Sequence, residues 1–160
     1  PQLTCRLADW RDPDDAAAAL VLLDAYARDP MGGGEPLGDY ARTHLAQRLA
    51  AMPHAFTVLA FVDDMPAGLA NCLEGFSTFA CRTVVNINDF AVLPPWRGRG
   101  VAKALMASVE AEARGRGACK LTLEVLQGST AARSLYGQAG FVNYQLDPAM
   151  GRAEFLQKYL

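Results

Sequence analysis

The stretch PPWRGRGVAKAL, residues 94–105, constrains the fold more than any other part of the chain. Its two prolines end a strand-like run, because proline cannot donate to a sheet ladder. Gly98 and Gly100 then allow a tight turn in which the backbone can approach a ligand closely. From Val101 onward, apolar residues recur every four positions, which is typical of an amphipathic helix. The sequence therefore predicts a strand, a glycine turn and a helix in succession.

The charge of this turn indicates an anionic ligand. A helix begins with unpaired backbone N–H groups and the positive end of its dipole, and Arg97, Arg99 and Lys103 add cations there. A phosphate or pyrophosphate fits this setting. The Walker pattern GxxxxGK[ST] is absent, and only the first two glycines of a dinucleotide fingerprint are present. The following ALMASVEAEAR is neutral to acidic, which argues against nucleic acid. A purely structural turn is the remaining alternative.

Periodicity and turn residues predict the order β-α-α-β-β-β-α-β-α-β-β in one domain, residues 1–160. Asp12 is a suitable N-cap for the first helix, and Pro13 suits its first position. The predicted strands are residues 1–7, 55–64, 68–79, 82–93, 117–126, 141–146 and 153–160, and the predicted helices are residues 11–29, 39–52, 98–114 and 128–140. This order predicts an α/β (α+β) domain, a mixed sheet with helices packed on it.

Composition narrows the class of protein. The chain is 51% hydrophobic and 20% charged, which is typical of a globular protein. No apolar run approaches the ~18–20 residues of a membrane span, and no signal-like leader opens the chain. The four cysteines are scattered without a CxxC pair, so we expect no metal site or disulfide framework. We expect a cytoplasmic protein with reduced, mostly buried thiols and no membrane partner.

The charges are unevenly distributed along the chain. Residues 1–80 carry 11 acidic and 5 basic residues, whereas residues 81–160 carry 6 acidic and 10 basic residues. Such a fold is suited to two ligands of opposite charge. Chance clustering on a solvated surface gives the same distribution.

Two motifs resemble those of the GNAT superfamily of acyl-CoA N-acyltransferases. RGRGVA, residues 97–102, matches its R/Q-x-x-G-x-G/A signature, and DFAVLPPW before it is similar to the family's fourth strand. EVLQGSTAARSLYGQAGF, residues 124–141, resembles E-V-x-x-x-N-x-x-A-x-x-L-Y-x-x-x-G-F. The resemblance covers essentially the whole chain. It implies the GNAT fold, a mixed, mostly antiparallel sheet of about six to seven strands with about four helices, splayed between strands 4 and 5.

The resemblance implies acetyl-CoA as the acyl donor and no metal. In the family, the amides of the glycine turn hold the pyrophosphate, and the fourth strand pairs with the pantetheine arm. The family usually has Asn where this chain has Ser129, so Ser129 contacts the pantetheine or only caps a helix. The implied coenzyme-binding residues are Phe90, Ala91, Val92, Arg97, Gly98, Arg99, Gly100, Val101, Ala102, Lys103, Ser129, Ala132 and Tyr136.

The resemblance also implies catalytic roles. Tyr136 matches the tyrosine that acts in many members as general acid towards the departing thiolate, although it could simply pack on the sheet. The base stays open. Asp89 and Glu124 are candidates, and Glu74 is a third, and each could be structural. We expect His54 at the surface and no cysteine nucleophile.

The implied function is transfer of an acetyl group from acetyl-CoA directly to a primary amine of a small molecule or protein. GFSTF…NINDFAV also resembles the diamine and polyamine acetyltransferase branch, which has an acid where this chain has Asn88. Acids around the glycine-rich loop would suit a cationic acceptor: Asp24, Asp29, Glu35 and Asp39.

Two alternatives to this enzyme remain. One is a non-catalytic acyl-CoA-binding sensor or regulatory module. The other is a structural interaction domain, in which Phe155, Leu156 and Tyr159 of the last predicted strand would pair with another subunit. We expect such pairing to form a homodimer in addition to the enzymatic function.

Overall fold

The computed structural model describes residues 1–160 and contains five strands and four helices. In chain order they are β1 Leu3–Leu7, α1 Pro13–Arg28, α2 Asp39–Ala50, β2 Ala55–Val62, β3 Met65–Ser77, β4 Arg82–Val92, α3 Val101–Gly115, β5 Leu121–Leu123 and α4 Thr130–Gln138. The first nine elements of the predicted order are present. The predicted α/β class and the order of these nine elements are therefore confirmed.

The sheet has the order β1-β2-β3-β4-β5. Strands β1 to β4 pair antiparallel, and β4 pairs with β5 in parallel over only three residues, Val85 to Ile87. Residues 88–92 of β4 continue without a partner on that side. The sheet is thus mixed and open between its fourth and fifth strands, as predicted.

Helices cover both faces of this sheet. Successive side chains of a strand point to opposite faces. Val58 of β2 therefore packs in one cluster with Leu105 of α3, whereas its neighbour Leu59 packs in the other cluster with Leu22 of α1. All four side chains are almost fully buried. The domain consequently has two apolar layers with the sheet between them.

An ion pair between an exposed arginine and a buried aspartate joins β1 to the start of α1. Asp12 is the N-cap and Pro13 occupies the first helical position, as predicted. Asp15 is 4% exposed and accepts from Nη1 and Nη2 of Arg6 at 2.8 and 2.7 Å, and from the Asp9 N–H at 2.8 Å. The hydrogen bonds from Arg6 are the largest cause holding the pKa of Asp15 below its ordinary value. This pair anchors the helix whose later turns reach the site described below.

The two final predicted strands do not form, so the expectation of six to seven strands is wrong by one or two. No strand follows α4, and Val142, Tyr144 and Phe155 are exposed. Alternating apolar residues make a stable strand only beside a partner edge. β5, predicted over residues 117–126, has three residues and offers a very short edge.

Two further expectations need correction. The helix predicted from Gly98 begins at Val101, because Gly98 and Gly100 adopt left-handed φ values of 72° and 82° that a helix does not contain. Of the four cysteines, which are all free, Cys72 is buried whereas Cys81 and Cys119 are exposed, so the expectation of mostly buried thiols is wrong. None of the helices combines the length and the apolarity that a membrane crossing requires.

Replacing Asp15 with Asn should lower the free energy of unfolding by about 1–3 kcal/mol, because a buried charge-assisted hydrogen-bonding group is lost. The folded-state pKa of Asp15 is depressed, so its stabilisation is present above the unfolded pKa and disappears as the pH falls through the folded one. Urea unfolding across the acid range measures this.

Asp14→Asn is the matched control, since Asp14 is exposed in the same first turn. It should change the free energy of unfolding by no more than about 0.5 kcal/mol. An equal loss in both variants would show that only the helix dipole is involved.

Candidate active site

Six consecutive amides lie free at the start of α3. No backbone N–H from Gly98 to Lys103 donates to a protein acceptor, and the first helical bond runs from the Ala104 N–H to the Gly100 carbonyl at 3.1 Å. A Cβ built at Gly98 or Gly100 would meet nothing within 4 Å, so the space beside the turn is open. Free amides at a helix N-terminus form a binding site for a phosphate group.

The three cations of this turn are not equivalent. Arg97 donates from Nε to the Val92 carbonyl at 2.9 Å, and its Nη2 lies 3.8 Å from Asp29 Oδ2. It therefore ties the turn to the end of β4 and to the end of α1. Arg99 stacks over the Trp96 ring at 5.5 Å, and Lys103 is exposed without an ion pair. Arg99 and Lys103 are the cations left for an anion.

Tyr136 of α4 lies against the unpaired part of β4. Its ring packs edge-on against Phe90 at 5.9 Å and Phe141 at 5.8 Å, and Tyr136 is 9% exposed. Burial raises the pKa of Tyr136 to about 12, with a smaller contribution from Tyr26. Its hydroxyl makes no hydrogen bond to the protein, yet no buried polar side-chain atom lacks a partner. The hydroxyl must therefore reach the accessible surface, where it can donate to a ligand.

A β-bulge turns Asp89 to the face opposite Phe90. Asn88 has no partner on β3, so Ile87 and Phe90, three residues apart, both contribute to the core on the α3 side. Asp89 then faces the α1 side, where it pairs with Asn71 of β3. Bulges of this kind commonly re-aim a side chain beside an active site.

Asp89 is a partly buried carboxylate with one oxygen free. Asn71 Nδ2 donates to its Oδ2 at 3.1 Å, and Oδ1 has no protein partner. Burial raises the pKa of Asp89 above its ordinary value, and the hydrogen bond from Asn71 opposes that rise. The charge of Asp89 in turn contributes to raising the pKa of Tyr26 and of Cys72, after burial in each case.

The other predicted bases do not combine burial with a free carboxylate oxygen. Glu124 is exposed one residue beyond β5 and forms neither a hydrogen bond nor an ion pair. Glu74 pairs with Arg116 at 3.1 Å, and Arg116 also bonds the Pro53 carbonyl, so this carboxylate has a structural partner. His54 is exposed, as expected. Asp89 is the carboxylate that combines burial with a free oxygen beside the opening of the sheet.

Residues 20–141, about three quarters of the chain, match the model of the acetyltransferase (GNAT) family. The chain belongs to this family. A shorter segment of 55 residues is 44% identical to the uncharacterized N-acetyltransferase YycN of Bacillus subtilis (strain 168) and covers 34% of this GNAT chain. It spans 35% of the length of that relative.

Solved structures share the fold along the whole chain. A ribosomal-protein-alanine N-acetyltransferase from Brucella melitensis biovar Abortus 2308 has a TM-score of 0.74 at 20% identity, covering 99% of this chain and 100% of that chain. AAC(6')-Iy in complex with a bisubstrate analog has a TM-score of 0.76 at 20% identity, covering 100% of each chain. A transcriptional regulator from Bacillus halodurans C-125 reaches 0.79 at 16% identity, covering 99% of this chain and 100% of that chain. At these identities the likeness extends to the GNAT fold alone.

Some of the remaining predicted residues of this GNAT domain have side-chain partners within the protein, and others have none. Ser129 stands at the N-cap position of α4, as predicted, but its side chain makes no capping hydrogen bond. Asp24 pairs with Arg28 at 2.8 Å, so this acid is not free for an acceptor. Glu35 and Asp39 are exposed without ion pairs.

Sequence reasoning missed three residues that lead to Asp89. The Trp10 indole donates to Thr57 at 3.0 Å, Thr57 donates to Asn71 at 2.6 Å, and Asn71 donates to Asp89. One signal was available, since Thr57 is the only polar residue in an otherwise apolar strand. No group of three or more His, Cys, Asp or Glu residues could hold a metal ion.

Gly100→Ala should weaken binding of acetyl-CoA about tenfold or more, because a methyl group and a strained turn would disturb the free amides beside it. Calorimetric titration with acetyl-CoA, desulfo-CoA and adenosine measures the Kd.

Gly117→Ala is the control, since Gly117 has a similar φ of 79° and open surroundings at the far end of α3. Both variants should lose about 1 kcal/mol of stability from left-handed strain. Equal Kd values in the two variants would mean that the amides do not bind the coenzyme.

Proposed function

We propose that this protein transfers an acetyl group from acetyl-CoA directly to a primary amine of a small molecule or protein. The observation that carries this proposal is the run of free amides from Gly98 to Lys103. Such a run suits a pyrophosphate, and it begins where β4 ends. The same strand has an unpaired edge from residue 88 onward and reaches Tyr136 through Phe90.

The coenzyme would run from α3 along β4. The backbone of residues 88–91 can pair with the amide groups of an extended pantetheine arm, as an added strand does. Val92 contributes less, because its carbonyl already accepts from Arg97. Ser129 has a hydroxyl without a protein partner and can bond the same arm. The thioester would then reach the opening of the sheet between Asp89 and Tyr136.

The reaction needs two proton losses from the acceptor. A protonated amine gives up one proton before nitrogen attacks the thioester carbonyl, and a second as the amide forms and the carbon–sulfur bond breaks. Asp89 is suited to holding the ammonium group and taking a proton, because burial raises the pKa of this carboxyl towards the working range. The departing sulfur takes one proton back.

Tyr136 supplies a donor to that sulfur. A pKa of about 12 keeps its phenol neutral and able to donate. A thiol in water titrates near ~8.5, so complete proton transfer from Tyr136 would be uphill by roughly 5 kcal/mol. Hydrogen bonding to the developing thiolate requires no complete transfer, and it favours the transition state over the thioester.

The acceptor would approach from the side of α1 and α2. Glu35 and Asp39, in and just after the loop between α1 and α2, form no ion pair, and they favour a cationic acceptor. A diamine or polyamine is not part of the proposal, because Asn88 stands in place of an acid and accepts from Asn86 at 2.6 Å. Phe155 is exposed, and a homodimer through the C-terminal segment stays a proposal that light scattering tests.

Tyr136→Phe should lower kcat about 100-fold with an unchanged Kd for acetyl-CoA, because only the donor to sulfur is lost. An amine panel with thiol detection measures turnover. Tyr144→Phe removes a hydroxyl from an exposed ring and should leave kcat unchanged. Tight coenzyme binding without turnover on any amine would favour an acyl-CoA-binding module instead.

Asp89→Asn should lower kcat/KM for the amine about 100-fold while the free energy of unfolding at neutral pH stays equal or rises. The folded-state pKa of Asp89 is raised, so its charge destabilises the fold above that pKa, and the effect vanishes below the unfolded one. Unfolding and kinetic assays at neutral pH measure both quantities.

Glu124→Gln is the comparison variant for the base. It should retain the kcat/KM of the parent protein, since Glu124 is exposed and no side chain of the protein positions its carboxylate. A loss of kcat/KM in Glu124→Gln but not in Asp89→Asn would assign the base to Glu124 instead of Asp89.

A further inference from the structure

A row of buried polar side chains crosses the sheet and ends at Asp89. Thr57, Asn71 and Asp89 are direct partners on β2, β3 and β4, and Trp10 precedes them from the loop before α1. The donor–acceptor distances are 3.0, 2.6 and 3.1 Å from Trp10 to Asp89. We call these four residues the polar row.

The polar row has a fixed direction. An indole N–H only donates, so the Thr57 oxygen accepts from Trp10, and its single proton remains for Asn71. Asn71 must then present its carbonyl oxygen to Thr57 and its NH₂ group to Asp89. The end of the row is therefore a donor, and it favours the ionised form of the Asp89 carboxyl.

Burying the polar row in an apolar layer costs free energy of desolvation. Trp10, Thr57 and Asn71 are 8%, 2% and 6% exposed, and they lie on the face where Leu59 and Leu69 form the apolar layer. Buried polar groups destabilise the folded state unless every one is hydrogen-bonded. Here none is left without a partner. An apolar side chain at position 57 or 71 would fill this layer without that requirement.

No cation of the protein faces Asp89. Tyr26 of α1 and Cys72, which lies on the opposite face of β3, are the titratable groups whose pKa the charge of Asp89 contributes to raising, after burial in each case. Tyr136 of α4 also stays neutral, with a pKa of about 12. Asn71 is the one side chain that stabilises the Asp89 charge. Oδ1 of Asp89 is left for a ligand.

We propose that Asn71 is a positioning residue: the polar row holds Oδ2 of Asp89 and keeps the carboxylate ionised, so that Oδ1 receives the ammonium group of the acceptor. Asn71 has this role only if the protein transfers acetyl groups to amines as proposed above. The row acts on the acceptor and on proton transfer, and it does not act on coenzyme binding. Its loss should therefore change the kinetics for the amine without changing the Kd for acetyl-CoA.

The test is Thr57→Val, which keeps the side-chain shape and removes the hydroxyl between Trp10 and Asn71. We expect kcat/KM for the amine to fall about tenfold at neutral pH, and the acid limb of its pH profile to move to higher pH. Thr57→Ser keeps the hydroxyl and should restore both. Thr122→Val is the matched control, because it removes a 2.8 Å hydrogen bond to Asn86 in the same sheet that does not reach Asp89.

A second readout does not require turnover. The carboxyl carbon of Asp89, followed by NMR during a pH titration, should change at higher pH in Thr57→Val than in the parent protein or in Thr122→Val. Asn71→Leu removes the donor itself and should move the Asp89 titration to higher pH as well. It replaces Thr57→Val as the test if that variant does not fold.

The outcomes separate the two proposals. A shifted Asp89 titration without turnover on any amine would support the action of the row on Asp89 and overturn the proposed enzyme. Turnover in the parent protein, with an unshifted titration and pH profile in Thr57→Val and Asn71→Leu, would reduce the row to a structural element of the core.

Discussion

The candidate site depends on the shortness of the β4–β5 ladder. Three residues of β4 pair with β5, and the following five continue without it. An unpaired strand edge is ordinarily a liability, because its N–H and C=O groups invite association with another chain. In this protein the edge lies beside Tyr136 and leads to the turn that starts α3. One interrupted ladder thus creates the opening, exposes the backbone that a coenzyme can pair with and brings a phenol to it.

The site keeps polar groups in surroundings that oppose their charge. Burial raises the pKa of Asp89 and raises that of Tyr136 to about 12, and both effects work against the ionised forms. Stability must therefore come from elsewhere in the fold. The two apolar layers on either side of the sheet supply most of it, and the pair of Arg6 and Asp15 fastens α1 over the face that carries Asp89. A rigid surrounding of this kind holds functional groups in unfavourable states.

Ion pairs within the fold neutralise part of the uneven charge along the sequence. Arg97 belongs to the basic turn by sequence, yet it bonds the end of β4 and approaches Asp29 of the acidic half. Asp24 is likewise engaged by Arg28. Charges that pair within the fold contribute little to attracting a ligand at a distance. Arg99 and Lys103 at the turn, and Glu35 and Asp39 near the glycine-rich loop, are charges without ion pairs that a ligand can meet.

The sequence by itself determined the local features, because caps, periodicities and glycine turns act over a few residues. It predicted Pro13 at the start of α1, the turn at Gly98 and Gly100, and the order of the first nine elements. It also named Asp89 and Tyr136, but it could not rank Asp89 above Glu124, since burial depends on what packs against a residue. Only the tertiary structure shows that Asp89 is more buried than Glu124, that no strand follows α4 and that the polar row runs from Trp10 to Asp89. These features join residues distant along the chain, and strand register and packing bring such residues together.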